Sequence, residues 1–473
     1  MTMRTVITNA EVDDRLVSVV IDGGLIVEIC EPSESARRLD AGADEVVDAS
    51  GGALIPGLHD HHVHLLAMAA RRNGVDVDPL DSPQAFDDAL RHATLDIGET
   101  WVRVGGFDEH RHGSLDLGRL DALVGAAKVR VQHRSGLAWT LSSAGLEAVL
   151  NDEPPEGVER DAAGRPTGRL LRLDGWLADR IGVQAPPLGS LGAELAAMGL
   201  TGVTDATPAL GMGRMGLLRD AVLDGSFPQR IVLLGVEQND IGESIDGGGP
   251  WAQVGPAKIV IDEVTGLDPD ALAEVIAAHH ERGRSVAIHA VSRAETVTTV
   301  TAFAIAGTRV GDRLEHGSVL PKDLDPILAD GGVTVIIQPG LIHERGDHYL
   351  GAVDVSDRDV LHRAASLLGS GIAVAVGTDA PVTSVDPWST IVAASHRLTR
   401  TGHRLGGAER VDARTALGWY LTDPLDPGGP ERRVRVGVRA DLCLLDTPLS
   451  QVMTNPHVGH VRMTWVGGRL VHS

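Results

Sequence analysis

The nine residues Pro56–His64 read PGLHDHHVH, and the organisation of the rest of the chain can be worked out from them. Four of the six residues from position 59 onward are histidines, and one of the others is an aspartate. His62 and His64 are two residues apart, and on an extended chain such residues point to the same side. Both imidazoles can therefore face one metal ion from a single strand end. The alternative, a histidine-rich turn without a metal, does not explain so dense a cluster.

The composition is that of an acidic chain with few aromatic residues. Its 473 residues include 65 Asp and Glu against 42 Lys and Arg, which gives a net charge of −23. This charge argues against nucleic acid or an anionic membrane surface as a partner and leaves a small-molecule substrate as the expected one. The two cysteines, Cys30 and Cys443, exclude a disulfide framework, so we expect a cytoplasmic protein. No apolar run has the length of a signal-peptide core or of a membrane span.

Both ends of the chain read as short β-strands. Apolar, β-branched runs follow the N-terminus, and similar runs at Leu442–Leu445 and Val461–Val466 precede the last residues. We therefore predict one small β-sandwich domain built from residues 1–55 and 425–473. Residues 56–424 then form the larger, hydrolase domain.

The middle of the chain alternates between apolar strands and helical stretches, which is the pattern of a parallel sheet with crossover helices. Together with the strand before Pro56, the pattern gives eight strands and predicts an α/β fold with a (β/α)8 TIM-like barrel. The alternation fails between about 70 and 195, which we interpret as an insertion that covers the barrel mouth. The seven later strands are predicted at Gly202–Ala206, Ile231–Val236, Lys258–Ile261, Ser285–His289, Arg313–His316, Val333–Gln338 and Ile372–Gly377.

Five of these strands carry a polar or ionisable residue at or near one end. Such a group in an apolar strand is costly unless it has a partner, and one shared metal site would satisfy most of them together. Taken singly, each has an ordinary explanation as a hydrogen-bonded histidine or an ion-paired lysine. In order along alternating strands, they indicate a common site. The residues are Lys258, His289, His316, Gln338 and Asp379.

This arrangement resembles the amidohydrolase superfamily, in which Pro-Gly-x-x-Asp-x-His-x-His after a strand is followed by Lys, His, His and Asp on later strands. The chain is most similar to the YtcJ-like branch, also called amidohydrolase family 3. The resemblance covers nearly the whole chain, and the His-x-His motif and Thr378–Val382 are its most specific parts. Further matching segments are GFDE at 106–109, GVTDA at 202–206, RLEH at 313–316, QP at 338–339, DP at 386–387 and GVRADL at 437–442.

The resemblance implies that four histidines bind two divalent ions. His62 and His64 would bind the more buried ion. His289 and His316 would bind the second. Zinc is the expected metal, with manganese, iron and nickel as alternatives.

The resemblance also assigns roles to Lys258 and Asp379. Lys258 would carry a carbamate, an anionic oxygen donor that bridges both ions. Burial favours the neutral amine that reacts with carbon dioxide. Asp379 would contact the first ion and the nucleophilic water. If Lys258 stays unmodified, we expect a single metal.

From these roles we predict a metal-dependent amidohydrolase that acts on a C–N bond other than a peptide bond. A metal-activated hydroxide would attack the carbonyl, with Asp379 as general base and then general acid. Glu315 and Asp205 are interpreted as partners that orient a ligand.

Substrate contacts are predicted after the seventh strand. Gln338, His343 and Arg345 follow that strand and are the candidates. For His343 and Arg345, a solvated loop is an equal alternative. The substrate itself and a homo-oligomeric state are left open by the sequence.

Two rival functions are kept. A mononuclear deaminase of a heterocycle usually needs a carboxylate three residues after the histidine of the fifth strand, where this chain has Ser292. A non-catalytic protein that kept the fold for binding or assembly is the other rival. The presence of all six expected ligand types counts against it.

Overall fold

The computed structural model describes residues 4–31, 42–95, 100–150, 155–182, 188–241, 251–263 and 266–473 of a mixed α/β protein. The chain forms two compact units. The first combines Met1–His64 with Leu188–Ser473, and the second is Leu65–Pro187.

The first unit begins with a four-stranded sheet. The strands of the N-terminal segment are β1 (Thr5–Val12), β2 (Arg15–Asp22), β3 (Leu25–Cys30), β4 (Glu45–Asp48), β5 (Leu54–Pro56) and β6 (Leu58–Val63). The sheet order is β3-β2-β1-β4, with β4 parallel to β1 and the other pairs antiparallel. Gly23 and Gly24, both at positive φ, make the tight turn between β2 and β3. The apolar, β-branched runs that follow the N-terminus form β1, β2 and β3, as predicted.

The second unit contains a mixed six-stranded sheet. Its strands are β7 (Val75–Asp76), β8 (Val102–Phe107), β9 (Val129–His133), β10 (Ala138–Leu141), β11 (Val158–Arg160) and β12 (Pro166–Leu171). The order is β11-β12-β10-β9-β8-β7, and only the β7, β8 and β9 pairings are parallel. Its core comprises two apolar clusters, one around Phe86 and one around Leu170. The helices are Leu65–Arg72, Pro83–Ala93, Glu109–His112, Leu117–Val124, Ser143–Val149 and Asp174–Ile181.

Parallel strands form the centre of the first unit and lie in two sheets. After β6 they are β13 (Leu200–Asp205), β14 (Arg230–Leu233), β15 (Gln253–Val254), β16 (Ala257–Val260), β17 (Val286–Ala290), β18 (Arg313–His316), β19 (Thr334–Ile337) and β20 (Val374–Val376). One sheet has the order β15-β14-β13-β6, and the other has the order β16-β17-β18-β19-β20. Every neighbouring pair is parallel. The seven strands predicted from position 202 onward are confirmed, with boundaries shifted by a few residues.

Helices separate these strands, and their ends follow the sequence signals. Helix Pro269–Glu281 has proline in its first turn and is capped by Asp268, whose carboxylate accepts from the N–H groups of Asp270 and Ala271. Gly283, at φ +77°, follows its end. Across the described ranges, no helix is long and apolar enough to cross a membrane. The α-helices of this unit are Leu188–Ala197, Met212–Leu223, Gln238–Ile241, Pro269–Glu281, Arg293–Ala306, Asp325–Gly331, Gly340–Ala352, Ala365–Gly369, Pro387–His396, Ala413–Leu421 and Leu449–Val452, with 3-10 turns at Lys322–Leu324, Val355–Val360, Gly407–Glu409 and Val458–His460.

The C-terminal strands complete another antiparallel sheet. They are β21 (Thr422–Asp423), β22 (Asp426–Glu431), β23 (Leu442–Leu445), β24 (Val461–Val466) and β25 (Arg469–His472). The β21 and β22 strands pair with each other, and the larger sheet has the order β25-β24-β23-β5. Side chains from both chain ends, among them Ile21 and Trp465, share one apolar cluster.

This pairing corrects the assignment of the strand before Pro56. That run was predicted to be a barrel strand, but β5 pairs antiparallel with β23. The next strand, β6, is the one that joins the parallel sheet. Gly57 lies between the two strands, where a Cβ would collide with the side chain of Thr201, so a glycine fits at this change of sheet.

A closed eight-stranded barrel is not present as one continuous ladder among the described strands. At one junction between the two parallel sheets, Val63 bridges Ala380, and the N–H of His64 donates to the carbonyl of Ala380 at 2.9 Å. At the other junction, the N–H of Lys258 donates to the carbonyl of Leu234 at 3.2 Å. The two sheets are thus linked at both edges by isolated backbone contacts.

Candidate metal centre

The predicted ligands lie at the C-terminal ends of the parallel strands. His62 is near the end of β6, His289 near the end of β17, and His316 at the end of β18, while Asp379 follows β20. The C-terminal ends of parallel strands share one edge, so residues distant in sequence converge there.

His62, His64 and Asp379 form the tightest group. One ligand atom from each lies within 4.8 Å of the others. The Oδ1 atom of Asp379 is 3.3 Å from Nε2 of His64 and 3.6 Å from Nε2 of His62. Two imidazole nitrogens and a carboxylate oxygen are a common donor set for a divalent transition metal.

His289 and His316 extend this group. The ring centroids of His62 and His316 are 4.7 Å apart, and those of His289 and His316 are 4.4 Å apart. His316 and Asp379 both have positive φ, +73° and +58°. Residues other than glycine rarely adopt this backbone conformation, and those that do are concentrated at active sites.

Lys258 contributes a buried amine to the same cluster. Its stem is partly exposed, but its Nζ is buried and has no hydrogen-bond partner among the described residues. Burial lowers the pKa of Lys258, although the neighbouring carboxylates of Glu315 and Asp379 oppose this effect. A lowered pKa increases the fraction of neutral amine, which is the nucleophilic form.

The carboxylate of Glu315 orients the ring of His62 through its Nδ1 atom. Its Nδ1 contacts Oε2 of Glu315, which leaves Nε2 for the centre. Glu315 is fully buried, and its other oxygen lies 2.7 Å from Nε of the buried Arg313. Arg313 also donates to the carbonyl of His61 at 2.8 Å. The predicted orienting role of Glu315 is consistent with this geometry.

His316 is oriented by an amide. Its Nδ1 lies 2.9 Å from Oε1 of Gln338, whose amide nitrogen donates to the carbonyl of Ile336 at 3.0 Å. Gln338 is fully buried. Gln338 was predicted among the substrate contacts, and its amide is hydrogen-bonded to His316 and to the carbonyl of Ile336.

His64 has a hydroxyl partner. Its Nδ1 is 3.1 Å from Oγ1 of Thr207, and the Thr207 N–H donates to Asp205 at 2.9 Å. Asp205 is buried at the end of β13 and therefore fixes the segment that holds this imidazole.

Asp60 joins the two strand ends that carry the tightest group, a role that the sequence analysis missed. Its carboxylate accepts from the N–H of His62 at 3.0 Å and from the hydroxyl of Thr378 at 2.6 Å. The N–H of Asp379 donates to the carbonyl of His62 at 2.8 Å. Gly377 lies against His62 so closely that a Cβ would be 2.7 Å from the His62 nitrogen. The aspartate between the motif histidines was the available signal.

The two remaining candidates lie on helix Gly340–Ala352. His343 is exposed, and its Nδ1 is 3.1 Å from the carbonyl of Leu398. Arg345 is partly buried and donates to the carbonyl of Val382 at 3.3 Å, in the segment that follows Asp379. Arg345 thus contacts the loop of the centre, whereas among the described residues His343 forms no hydrogen bond with the proposed ligands.

The protonation states fit a metal. Burial lowers the pKa of His62 and His316, and it lowers that of His289 to about 4, so these imidazoles are neutral near pH 7. Burial alone would raise the pKa of Asp379, but the hydrogen bond with His64 and the neighbouring histidines hold it below its usual value. Neutral imidazoles and an ionised carboxylate are the metal-binding forms. The Nε2 of His62 is, like Nζ of Lys258, a buried atom with no hydrogen-bond partner in the described ranges, as expected for a metal ligand.

Comparison with known proteins agrees with this geometry. Residues 45–472 match the amidohydrolase family. The YtcJ amidohydrolase of Bacillus subtilis (strain 168) is 23% identical over 98% of this chain and 97% of its own length. The N-substituted formamide deformylase of Arthrobacter pascens is 26% identical over 91% of this chain and 90% of its own.

A solved structure shares the fold. An uncharacterised metal-dependent hydrolase from Pyrococcus horikoshii OT3 superposes with a TM-score of 0.74 at 17% identity, over 97% of this chain and 99% of that one. The family match spans most of the chain and includes every strand end that forms the centre. The chain therefore belongs to the amidohydrolase family and is a metal-dependent hydrolase that acts on carbon–nitrogen bonds.

Proposed function

We propose that this protein hydrolyses an amide-type C–N bond, other than a peptide bond, in a small molecule, with two divalent ions at the centre. The proposal rests on one observation. Ligand atoms of His62, His64 and Asp379 converge from separate strand ends, and two buried atoms, Nε2 of His62 and Nζ of Lys258, lack hydrogen-bond partners in the described ranges. A bound divalent metal supplies an activated water and polarises a carbonyl at neutral pH.

The ligand assignment follows the two groups of side chains. We assign His62, His64 and Asp379 to the first ion, because their ligand atoms form the tightest group. We assign His289 and His316 to the second ion, because their rings are adjacent. Zinc is the proposed metal, with manganese, iron and nickel as alternatives.

Lys258 is proposed to carry the bridging carbamate. The neutral amine attacks carbon dioxide, and the new N–C bond forms as one C–O π bond opens onto oxygen. The nitrogen releases a proton to water, so the side chain would end in an anionic oxygen donor. The lowered pKa of Lys258 supports this step, because it increases the neutral amine.

Asp379 is the proposed proton carrier. Its Oδ1 accepts the proton from the attacking water and delivers it to the leaving nitrogen. The low pKa of its carboxyl supports the role of proton acceptor, because the group is ionised near pH 7. We propose Arg345 as a substrate contact, because it donates a hydrogen bond to the segment that follows Asp379. His343, exposed on the same helix, is kept as a second candidate.

The proposal also includes the fold around the site, the location of the protein and its partner. We propose that the two parallel sheets close into a (β/α)8 barrel, which the backbone contacts at both junctions support. The apolar cluster shared by both chain ends supports a small β-sandwich domain. The proposed location is the cytoplasm, and the proposed partner is a small-molecule substrate. The deformylase of Arthrobacter pascens supports N-substituted amides as the first substrates to try.

The first experiment is metal content per chain in protein purified without chelator. It is repeated for Lys258→Ala, with bicarbonate supplied, and for Lys322→Ala, an exposed lysine that serves as the matched control. We expect two ions in the native protein and in Lys322→Ala, and one or none in Lys258→Ala. Release of amine from N-substituted formamides and other small amides is then measured on the same samples.

Two results would contradict the proposal, and each favours a different alternative. One ion in all three proteins would remove Lys258 from the centre and favour a mononuclear site at His62, His64 and Asp379, as in a deaminase. Ser292 counts against the deaminase, because its hydroxyl contacts Glu263 at 2.6 Å and caps helix Arg293–Ala306. No bound metal in any protein would favour the non-catalytic alternative.

A further inference from the structure

A cavity of about 670 Å³ lies at the opposite end of the strand that carries the metal ligands. Its wall includes Pro56 at the end of β5, His59 near the start of β6, and Thr201 and Gly202 near the start of β13. The metal centre lies at the opposite ends of β6 and β13. The volume is in the range of small-molecule sites. None of the groups proposed for hydrolysis lines this cavity.

Arginines dominate the wall of this cavity, although the chain as a whole has a net charge of −23. Five guanidinium groups line it, from Arg230, Arg432, Arg433, Arg435 and Arg439. Four carboxylates also line it, from Asp423, Asp426, Glu431 and Asp441.

Two charged groups of the wall are paired with residues outside it. Glu431 forms a bidentate pair with Arg414, with bonds of 2.9 and 2.6 Å. Arg433 lies 3.9 Å from Asp13. The other four guanidinium groups remain against three carboxylates, those of Asp423, Asp426 and Asp441, so the wall keeps an excess of one positive charge.

One carboxylate is shared by two guanidinium groups. Asp441 is 3.1 Å from Nε of Arg439 and 3.7 Å from Nη1 of Arg230. The same carboxylate accepts the N–H of Gly467 at 2.6 Å. Arg230 and Arg439 are 40% and 49% exposed, so a ligand from solvent can reach them.

Two further guanidinium groups retain free donors. Arg432 donates from Nε and Nη2 to backbone carbonyls, including that of Gly57 at 2.7 Å, and Nη1 has no partner among the described residues. Arg435 is exposed, and its side chain forms no hydrogen bond or ion pair with the described part of the chain. Guanidinium donors match the oxygens of carboxylates and phosphates in charge and geometry.

We propose that this cavity binds a small anion with two or more negative charges, of the phosphate or dicarboxylate class, through Arg230, Arg432, Arg435 and Arg439. The anion adds negative charge beside the first residues of β6 and β13, where guanidinium groups outnumber the carboxylates. This site is separate from the metal centre and does not depend on the proposed function.

Titration calorimetry of the metal-loaded, full-length chain tests the proposal. Sodium phosphate and sodium succinate are the two probes, each at constant ionic strength maintained with potassium chloride, and they separate the two ligand classes. We expect saturable binding of at least one probe. In Arg435→Gln and in Arg230→Gln we expect its Kd to rise about tenfold, because each variant removes one charged contact.

Arg219→Gln is the control variant, because Arg219 is an exposed arginine paired with Asp220 outside the cavity. Its Kd should match that of the native protein. Phosphate can also bind a metal ion, so the cavity variants decide between the two locations. A Kd that changes by less than about twofold in both cavity variants, or heat that potassium chloride alone reproduces, would overturn the proposal.

Discussion

The Nδ1 atom of His316 lies 2.9 Å from Oε1 of Gln338, and this contact fixes which ring nitrogen is free. The amide oxygen can only accept, so Nδ1 carries the proton and Nε2 keeps its lone pair for a metal. The amide nitrogen of Gln338 donates a hydrogen bond to the carbonyl of Ile336. The amide therefore cannot exchange the positions of its oxygen and nitrogen without losing that hydrogen bond.

We predict that Gln338→Leu weakens metal binding at His316 by about 10- to 100-fold, since outer partners of metal ligands typically have effects of this size. The measurement is metal retained against a series of chelator concentrations. Gln229→Leu is the control, because Gln229 is also buried but donates to the carbonyl of Gly192, in a helix that carries no ligand. Equal metal retention in both variants would contradict the orienting role.

A methyl group at Gly377 should displace His62. A Cβ there would lie 2.7 Å from the His62 nitrogen and 2.9 Å from its Cα, and backbone atoms cannot move as a side chain can. We expect Gly377→Ala to lose bound metal and to be destabilised by about 1–3 kcal/mol, as overpacked cores usually are. Metal analysis and urea unfolding of the metal-free protein measure the two effects. Gly369→Ala, where a Cβ meets open space, should change neither by much.

Two bidentate ion pairs differ mainly in burial and should differ in their effect on stability. Arg363 contacts Asp325 at 2.7 and 2.6 Å, with its side chain fully buried. Arg414 contacts Glu431 at similar distances, with both side chains more than a third exposed. We expect Asp325→Asn to cost about 3–5 kcal/mol, because it leaves a buried cation.

The exposed pair provides the comparison. Glu431→Gln should cost less than about 1 kcal/mol, since water and salt screen an exposed pair. Urea unfolding of both variants in the same buffer compares them. Similar losses would mean that burial is not what distinguishes the two pairs.

His362 should make the fold sensitive to acid. Its ring is fully buried, and neither nitrogen has a hydrogen-bond partner among the residues that the structure describes. Burial, together with the nearby Arg397, lowers its pKa to about 3. The unfolded chain therefore binds a proton that the folded chain rejects, and stability falls as the pH decreases from about 6.5 towards 3.

The slope of this loss is about 1.4 kcal/mol per pH unit for one proton. In chelator-treated protein, which removes the contribution of metal release, His362→Phe should lower the slope of unfolding free energy against pH between about 4 and 6 by that amount. His396→Phe is the control, because His396 is exposed at a helix end. An unchanged slope in His362→Phe would mean that another group titrates in this range.

Much of the centre could be predicted from the sequence, because its ligands are marked by type and spacing. His62 and His64 are two residues apart at the end of β6, and His289 interrupts an apolar run. His316 ends a short predicted strand. Strand pairing could not be predicted in the same way. Leu54 and Ile55 would suit either a parallel barrel or an antiparallel sheet, and their partner strand, β23, determines the outcome from far along the chain.

The direction in which polar side chains point could also not be predicted from the sequence. Gln338 follows an apolar strand, which is equally compatible with an amide that faces a substrate and with one that supports a ligand. Only the position of the His316 ring decides between them. Asp60 is similar, because its three hydrogen bonds depend on Thr378 and His62 being brought together by folding.

The antiparallel pairing of β5 with β23 has a consequence for biosynthesis. The strand that leads directly into the ligand strand β6 finds its partner in a segment that is translated long after it. Until Leu442–Leu445 has been translated, one edge of Leu54–Pro56 remains without its backbone partner. A nascent chain therefore cannot anchor the entry to its metal-binding strand, and a chain cut before Leu442 would expose that edge to other molecules.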